Sequence, residues 1–206
     1  LQRANFRGPD ASSVVLLNNN IWFGHNRLSI IDLDERSNQP FTYGDVHIVF
    51  NGEIYNYLDI KAELLKLDLV FTTSSDTEVI CAAYKAWGEA CVQHFNGMFA
   101  FVIYDVQNDV LFGARDRLGK KPLYYSTQNN AFEFASQPAQ IAMFNRFLLN
   151  EAAVSQMLTW QQIPDPNTIY QQMYRLQAGH CFRYQLSTHS FTTHKYWDLN
   201  AGAALS

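Results

Sequence analysis

One pattern constrains this chain more than any other: short β-rich runs, broken at close intervals by turn residues, with helical spacing confined to a few segments. Residues 14–17 and 21–31 are β-rich and flank Asn18-Asn19-Asn20. Residues 46–50 form another run, which leads into Asn51-Gly52, a turn signal. Residues 97–106 and 110–114 are apolar strands joined through Gln107-Asn108-Asp109 as a hairpin. Residues 123–126 and 132–135 make a second hairpin around Asn129-Asn130, and strands over 180–185 and 190–197 close the pattern. Helical spacing appears over 57–67, where Leu58, Ile60, Ala62, Leu64 and Leu65 fall near one face. It recurs over 79–87, after Ser75-Asp76-Thr77-Glu78 reading as a capping box, and in short stretches near 137–144 and 151–158. Clustered strands with flanking helices predict α+β layers, not an alternating βαβ fold. The 206 residues suit one ordinary domain or two small ones, with no linker and no repeat at solenoid periods.

Composition narrows the function classes. Charged residues are only 17%, aromatics reach 15%, and 16 Asn and 14 Gln fill the polar share. A disordered chain would show the reverse balance. Low charge with many aromatics also suggests that part of the surface meets another protein surface. The net charge is −4 and the longest basic cluster is Lys120-Lys121, which argues against nucleic acid. No apolar run approaches the ~20 residues of a membrane span, and no leader pattern is present. Cys81, Cys91 and Cys181 are too few and odd in number for a disulfide framework, so a cytoplasmic setting is expected. The chain opens on Leu1 and not Met, so a missing upstream piece is expected.

Generic motifs give little. The Gly113 to Lys120 segment has five residues between its glycines and Lys121 where a phosphate loop needs Ser or Thr. Cys81, Cys91 and His94 are conceivable soft-metal ligands, but no second pair stands at zinc spacing, and packing as small hydrophobes is the better reading. No metal is expected. His189 and His194 read as surface histidines of a hairpin. Taken singly, Arg27 reads as a structural ion-pair residue, Asp76 as an acid favoured at a helix start, and Asn51-Gly52 as a turn.

Six segments in order carry more information. They are Arg7-Gly8-Pro9-Asp10; His25-Asn26-Arg27-Leu28-Ser29-Ile30-Ile31-Asp32; Asn51-Gly52-Glu53-Ile54-Tyr55-Asn56; Ser75-Asp76-Thr77-Glu78; Gly97-Met98-Phe99-Ala100-Phe101; and the run from Arg115-Asp116-Arg117 to Tyr124-Tyr125. Together they closely resemble the glutaminase domain of glutamine-hydrolysing asparagine synthetases, a class II glutamine amidotransferase domain. The resemblance runs from residue 7 to about 197 and includes Thr168-Ile169-Tyr170 and Ala178-Gly179-His180. It implies one domain over 1–206 with the N-terminal-nucleophile hydrolase fold: two stacked antiparallel sheets between helical layers (αββα).

The resemblance also implies a chemistry. An N-terminal cysteine thiolate attacks the side-chain amide of glutamine, with its own α-amine as base. A γ-glutamyl thioester forms, ammonia leaves, and water releases glutamate. Ammonia then passes to a C-terminal synthetase domain of the same chain, where it attacks an activated aspartate or another carboxylate. ATP and Mg²⁺ are expected there, and no cofactor in this domain. The implied roles fall on Arg27 for the α-carboxylate, Asp76 for the α-ammonium, and Asn51 with Gly52 for the oxyanion hole. Glu53 would also line the glutamine site, together with backbone near Ile30. The Arg115 to Tyr125 run reads as mainly structural.

The nucleophile is not in this sequence: six residues precede Arg7 and none is Cys. Cys81, Cys91 and Cys181 are internal and have no free α-amine. The chain as it stands is therefore predicted inactive in glutamine hydrolysis, with its N-terminal strand and its synthetase domain missing. The alternative is a degenerate, non-catalytic scaffold or glutamine-binding module. Two departures from the family pattern are Phe6, where His is usual, and Gln137, where Glu is usual. Homodimerisation is left open.

Overall fold

Residues 97–105 and 110–115 are apolar at almost every position, so strands built from them need cover on both faces. In the computed structural model they form β5 (Gly97–Asp105) and β6 (Val110–Arg115), every residue of β6 being buried. The structure describes Gly8, residues 11–18, 20–27, 35–143 and 146–199, with the side chains of Ala11, Arg27 and Glu35 excepted.

β5 and β6 are the middle of a six-stranded antiparallel sheet. On one side follow β4 (Val46–Ile54) and β3 (Phe41–Tyr43), and on the other β10 (His180–Gln185) and β11 (Ser190–Lys195). Alternation divides the side chains between two cores. Ile48, Phe50, Phe99, Phe101, Ile103 and Phe112 face α1 (Tyr57–Leu65) and α2 (Asp76–Trp87). Val49, Val102, Tyr104, Leu111, Phe182 and Tyr184 face the opposite way. There they meet the hairpin of β1 (Ala11–Asn18) and β2 (Ile21–Arg27), and a three-stranded sheet of β7 (Tyr124–Ser126), β8 (Glu133–Ala135) and β9 (Tyr174–Arg175). Phe23 of β2 meets Phe134 of β8 edge-on at 5.4 Å. α3 (Pro138–Ile141) packs against β7 and β8, and α4 (Glu151–Trp160) follows. The α+β layering and the stacked antiparallel sheets expected from the sequence are present.

Three local expectations need correction. Residues 51–52 do not turn: β4 continues to Ile54, because β5 pairs it from Val46↔Asp105 to Ile54↔Gly97. In α1 only Ile60 and Leu64 are buried, while Leu58 and Leu65 are exposed. At 3.6 residues per turn, positions 58, 62 and 65 lie on the side opposite 60 and 64, so the segment carries two apolar stripes. The capping box at α2 is half formed. Ser75 Oγ accepts from Glu78 N–H, but the Glu78 carboxylate binds Thr72 and Thr73 instead. β3 and β9, three and two residues long, have no sequence signal of their own.

The Arg115 to Tyr125 run is built on two buried charges. The Arg115 guanidinium donates to the carbonyls of Lys121, Leu176 and Gly119 and to Asp165. The Asp116 carboxylate accepts N–H bonds from Phe99, Leu118, Lys120 and Lys121. The amides that suggested a phosphate loop thus converge on an anion supplied by the chain itself. Asp116→Ala leaves those donors without an acceptor. It is expected to cost about 3 kcal/mol, a fall of about 6–12 °C in midpoint measured by thermal unfolding.

Candidate functional site

β4 is covered by β3 only from Val46 to Ile48. Beyond that point its outer edge has no neighbouring strand among the described residues, and side chains take its polar groups. The Phe50 N–H donates to Gln39 Oε1 at 2.5 Å, and the Phe50 carbonyl accepts from His25 Nε2 at 3.1 Å. Two residues further from Gly52, the Ile54 N–H donates to Asp76 Oδ2 at 3.0 Å. The two-residue period of a strand places the Gly52 N–H on this same edge, between those two. Gly52 has φ +151°, and a Cβ there would lie 2.1 Å from the Met98 carbonyl oxygen. Only glycine permits that conformation and that approach.

The other half of the site is the start of α2. Asp76 is its first residue, capped by Ser75. The preceding loop is pinned by Glu78, whose carboxylate accepts from the N–H and hydroxyl groups of both Thr72 and Thr73. Burial pushes the Glu78 carboxyl up, but these hydrogen bonds outweigh it and hold the group below its ordinary value. Asp76 differs. It is 5% exposed. Burial drives its pKa up to about 6, and the nearby Glu53 carboxylate adds to the rise, against hydrogen bonds from Ile54, Thr77 and its own N–H. No cation partners it in the structure among the described residues. The site therefore favours a positively charged guest.

A cavity of about 950 Å³ opens here between the two sheets. Asn51, Gly52, Glu53, Asp76, Gln39 and Met98 line it. Asn51 and Glu53 project on the intersheet face, by alternation from the core residues Phe50 and Ile54. Asn51, Gly52, Glu53 and Asp76 are thus brought together at one cavity. The Arg27 side chain and Ile30 lie outside the described residues; the Arg27 backbone ends β2, paired with Ala11. Gln39 and His25 are functional neighbours with no assigned role in the sequence reading. Their signal was positional only, Gln39 before Pro40 and His25 two residues before Arg27.

The cysteines lie elsewhere. Cys81, Cys91 and Cys181 are buried free thiols of the helix-side core. Burial pushes Cys81 and Cys91 well up and Cys181 up to about 12. The His94 ring stacks on Trp87 at 3.9 Å. His189 and His194 are exposed residues of the β10–β11 hairpin, as expected; the pairing also brings the His194 ring to Cys181 Sγ at 2.9 Å and His189 to the Tyr184 hydroxyl at 2.7 Å.

A family described as a glutamine amidotransferase domain matches residues 1–197. The chain is 36% identical to a putative glutamine-hydrolysing asparagine synthetase 2 of Methanocaldococcus jannaschii, over 94% of this chain and 41% of that protein. It is 39% identical to glutamine-hydrolysing asparagine synthetase 1 of Bacillus subtilis, over 85% of this chain and 28% of that protein. The chain thus spans well under half the length of these curated relatives. Its fold is similar to that of glutamine phosphoribosylpyrophosphate amidotransferase from B. subtilis, with a TM-score of 0.58 and 18% identity, covering 86% of this chain and 35% of that one. Among the described residues no helix is long and apolar enough to cross a membrane.

The raised Asp76 pKa has a sign that can be checked. Folding favours the neutral carboxyl, so its stabilising share is complete below pH 3.8 and is lost as the pH rises through about 6. Asp76→Asn keeps an acceptor for Ile54 N–H without the charge. The variant is expected to be more stable than the wild type at pH 8, by on the order of 2 kcal/mol, and equal to it near pH 4. Thermal unfolding of both proteins across that range measures the difference.

Proposed function

The chain belongs to the glutamine amidotransferase domain family, and from that premise we propose that its cavity binds glutamine and presents the side-chain amide for hydrolysis to glutamate and ammonia. The observation that carries this reading is the buried, cation-seeking Asp76 of α2, bonded to the same edge of β4 that presents the Gly52 N–H. Glutamine carries a carboxylate, an ammonium and an amide, and each calls for a different partner. Asp76 takes the α-ammonium. Arg27 takes the α-carboxylate through its two-pronged guanidinium. Asn51 Nδ2 and Gly52 N–H receive the amide oxygen as it becomes an oxyanion. Glu53 and the backbone near Ile30 complete the lining.

In this reading the attacking group is the thiolate of an N-terminal cysteine belonging to the full-length gene product. Its sulfur bonds to the amide carbon, and the tetrahedral oxyanion rests on Asn51 and Gly52. Collapse expels the protonated nitrogen as ammonia and leaves a thioester, and water then cleaves the C–S bond to give glutamate. Supply of ammonia to a synthetase portion, with aspartate as the default acceptor, is supported by the similarity to glutamine-hydrolysing asparagine synthetases. ATP and Mg²⁺ are assigned to that portion, and no residue of this chain is given a role in holding them. The cytoplasm is the proposed location.

Glutamate release by the full-length gene product tests the reading. Asn51→Ala is expected to lower kcat by roughly 10²–10³ with little change in KM. Arg27→Ala is expected chiefly to raise KM. If Arg27→Ala leaves the kinetics unchanged, the carboxylate assignment is wrong. Binding also follows pH: the ammonium needs ionised Asp76, so below about 6 affinity falls, by about tenfold at pH 5 relative to pH 8. Calorimetric titration of glutamine into this 206-residue chain measures that directly.

A further inference from the structure

Gln39 lines the cavity and joins its two halves, a task no motif assigns to it. Its Oε1 accepts the Phe50 N–H at 2.5 Å, and its Nε2 donates to Thr77 Oγ1 at 3.4 Å. The first bond reaches the residue before Asn51, on the uncovered edge of β4. The second reaches the residue after Asp76, in the first turn of α2. We propose that Gln39 is a positioning residue for the oxyanion hole: its carboxamide clamps the edge of β4 so that Asn51 Nδ2 and Gly52 N–H keep their aim at the reacting amide. The inference rests on the glutaminase reading above.

The fold does not need this clamp. β4 is held along its whole length by β5, from Val46↔Asp105 to Ile54↔Gly97, and its core side chains are buried regardless. What the clamp fixes is local. The peptide groups between Phe50 and Gly52 turn together, so an unanchored Phe50 N–H lets the Gly52 N–H rotate away from the oxyanion. With substrate filling the cavity and water excluded, Phe50 N–H would also lack an acceptor. The two distances decide which kinetic constant responds. The short bond is to the strand that carries the oxyanion donors, and the long one is to the helix that carries the ammonium acceptor. Loss of Gln39 therefore acts on turnover, where oxyanion donors work, more than on glutamine binding.

Steady-state glutamate release by the full-length gene product tests this, with unfolding temperatures measured beside it. Gln39→Met fills the same volume without the acceptor. It is expected to lower kcat by about 10- to 100-fold, with KM within about twofold, since small displacements of aligned groups cost that much. Gln39→Glu keeps an oxygen for Phe50 N–H and accepts from the Thr77 hydroxyl, and is expected to recover most of the lost kcat. An unchanged kcat in Gln39→Met, or a loss confined to KM, overturns the inference. If Gln39→Met does not fold, Gln39→Glu decides alone: near-normal kcat supports the clamp, and a folded but slow enzyme overturns it. A wild type that releases no glutamate overturns the glutaminase reading and this inference with it. An active wild type with an unimpaired Gln39→Met overturns the inference only.

Discussion

The site depends on one strand edge left unpaired by backbone. β3 ends its cover of β4 at Ile48, six residues before β4 itself ends at Ile54. A bare edge inside a protein is unstable, because each inward N–H needs an acceptor. Here the acceptors are side chains: Gln39 takes Phe50 and Asp76 takes Ile54. Gly52 lies between them with its N–H on the same edge. With those side chains anchoring the edge, and β5 holding the other side of the strand through Ile54, such a donor has a fixed direction. A flexible Asn-Gly turn could not offer that preorganisation, and oxyanion stabilisation depends on it.

Three buried carboxylates show how the chain separates support from recognition. Glu78 and Asp116 are 1% exposed, and each is surrounded by donors from a neighbouring loop. Glu78 fixes the loop that leads to Asp76. Asp116 fixes the turn after β6 and binds Phe99 N–H, opposite Gly52. Asp76 is buried almost as deeply but accepts from little more than Ile54 and the first turn of its own helix. Its charge is left under-satisfied, and a bound cation would complete it. The satisfied acids give the scaffold its rigidity, and the unsatisfied one gives the cavity its selectivity.

The layers were legible in the sequence because hydrophobic period and turn residues agree for most strands, as in the hairpin of β5 and β6. Helix α2 was legible through Ser75. The failures have physical causes. Asn51-Gly52 reads as a turn by local propensity, but cross-strand pairing with β5 overrides it and uses the glycine for close approach to Met98 and Phe99. Glu78 reads as the second half of a capping box, yet Thr72 and Thr73 offer it more donors than Ser75 N–H does. α1 carries apolar residues on opposite sides, and sequence alone could not say which side meets the sheet. Gln39 was invisible because its partners, Phe50 and Thr77, are distant in sequence and meet only through the fold.

The same placement of Asp76 links stability to recognition. A carboxyl held near pH 6 opposes folding at neutral pH, and in the glutamine reading proposed above an arriving ammonium offsets that cost. A neutral side chain at this position would give a more stable fold and a cavity without preference for a cation. Among the cavity-lining side chains Lys121 is a cation and belongs to the loop organised by Asp116, not to the pair of acids at Glu53 and Asp76. In the reading proposed above, selectivity for an amino acid's ammonium group follows from what the fold leaves unpaired as much as from what it provides.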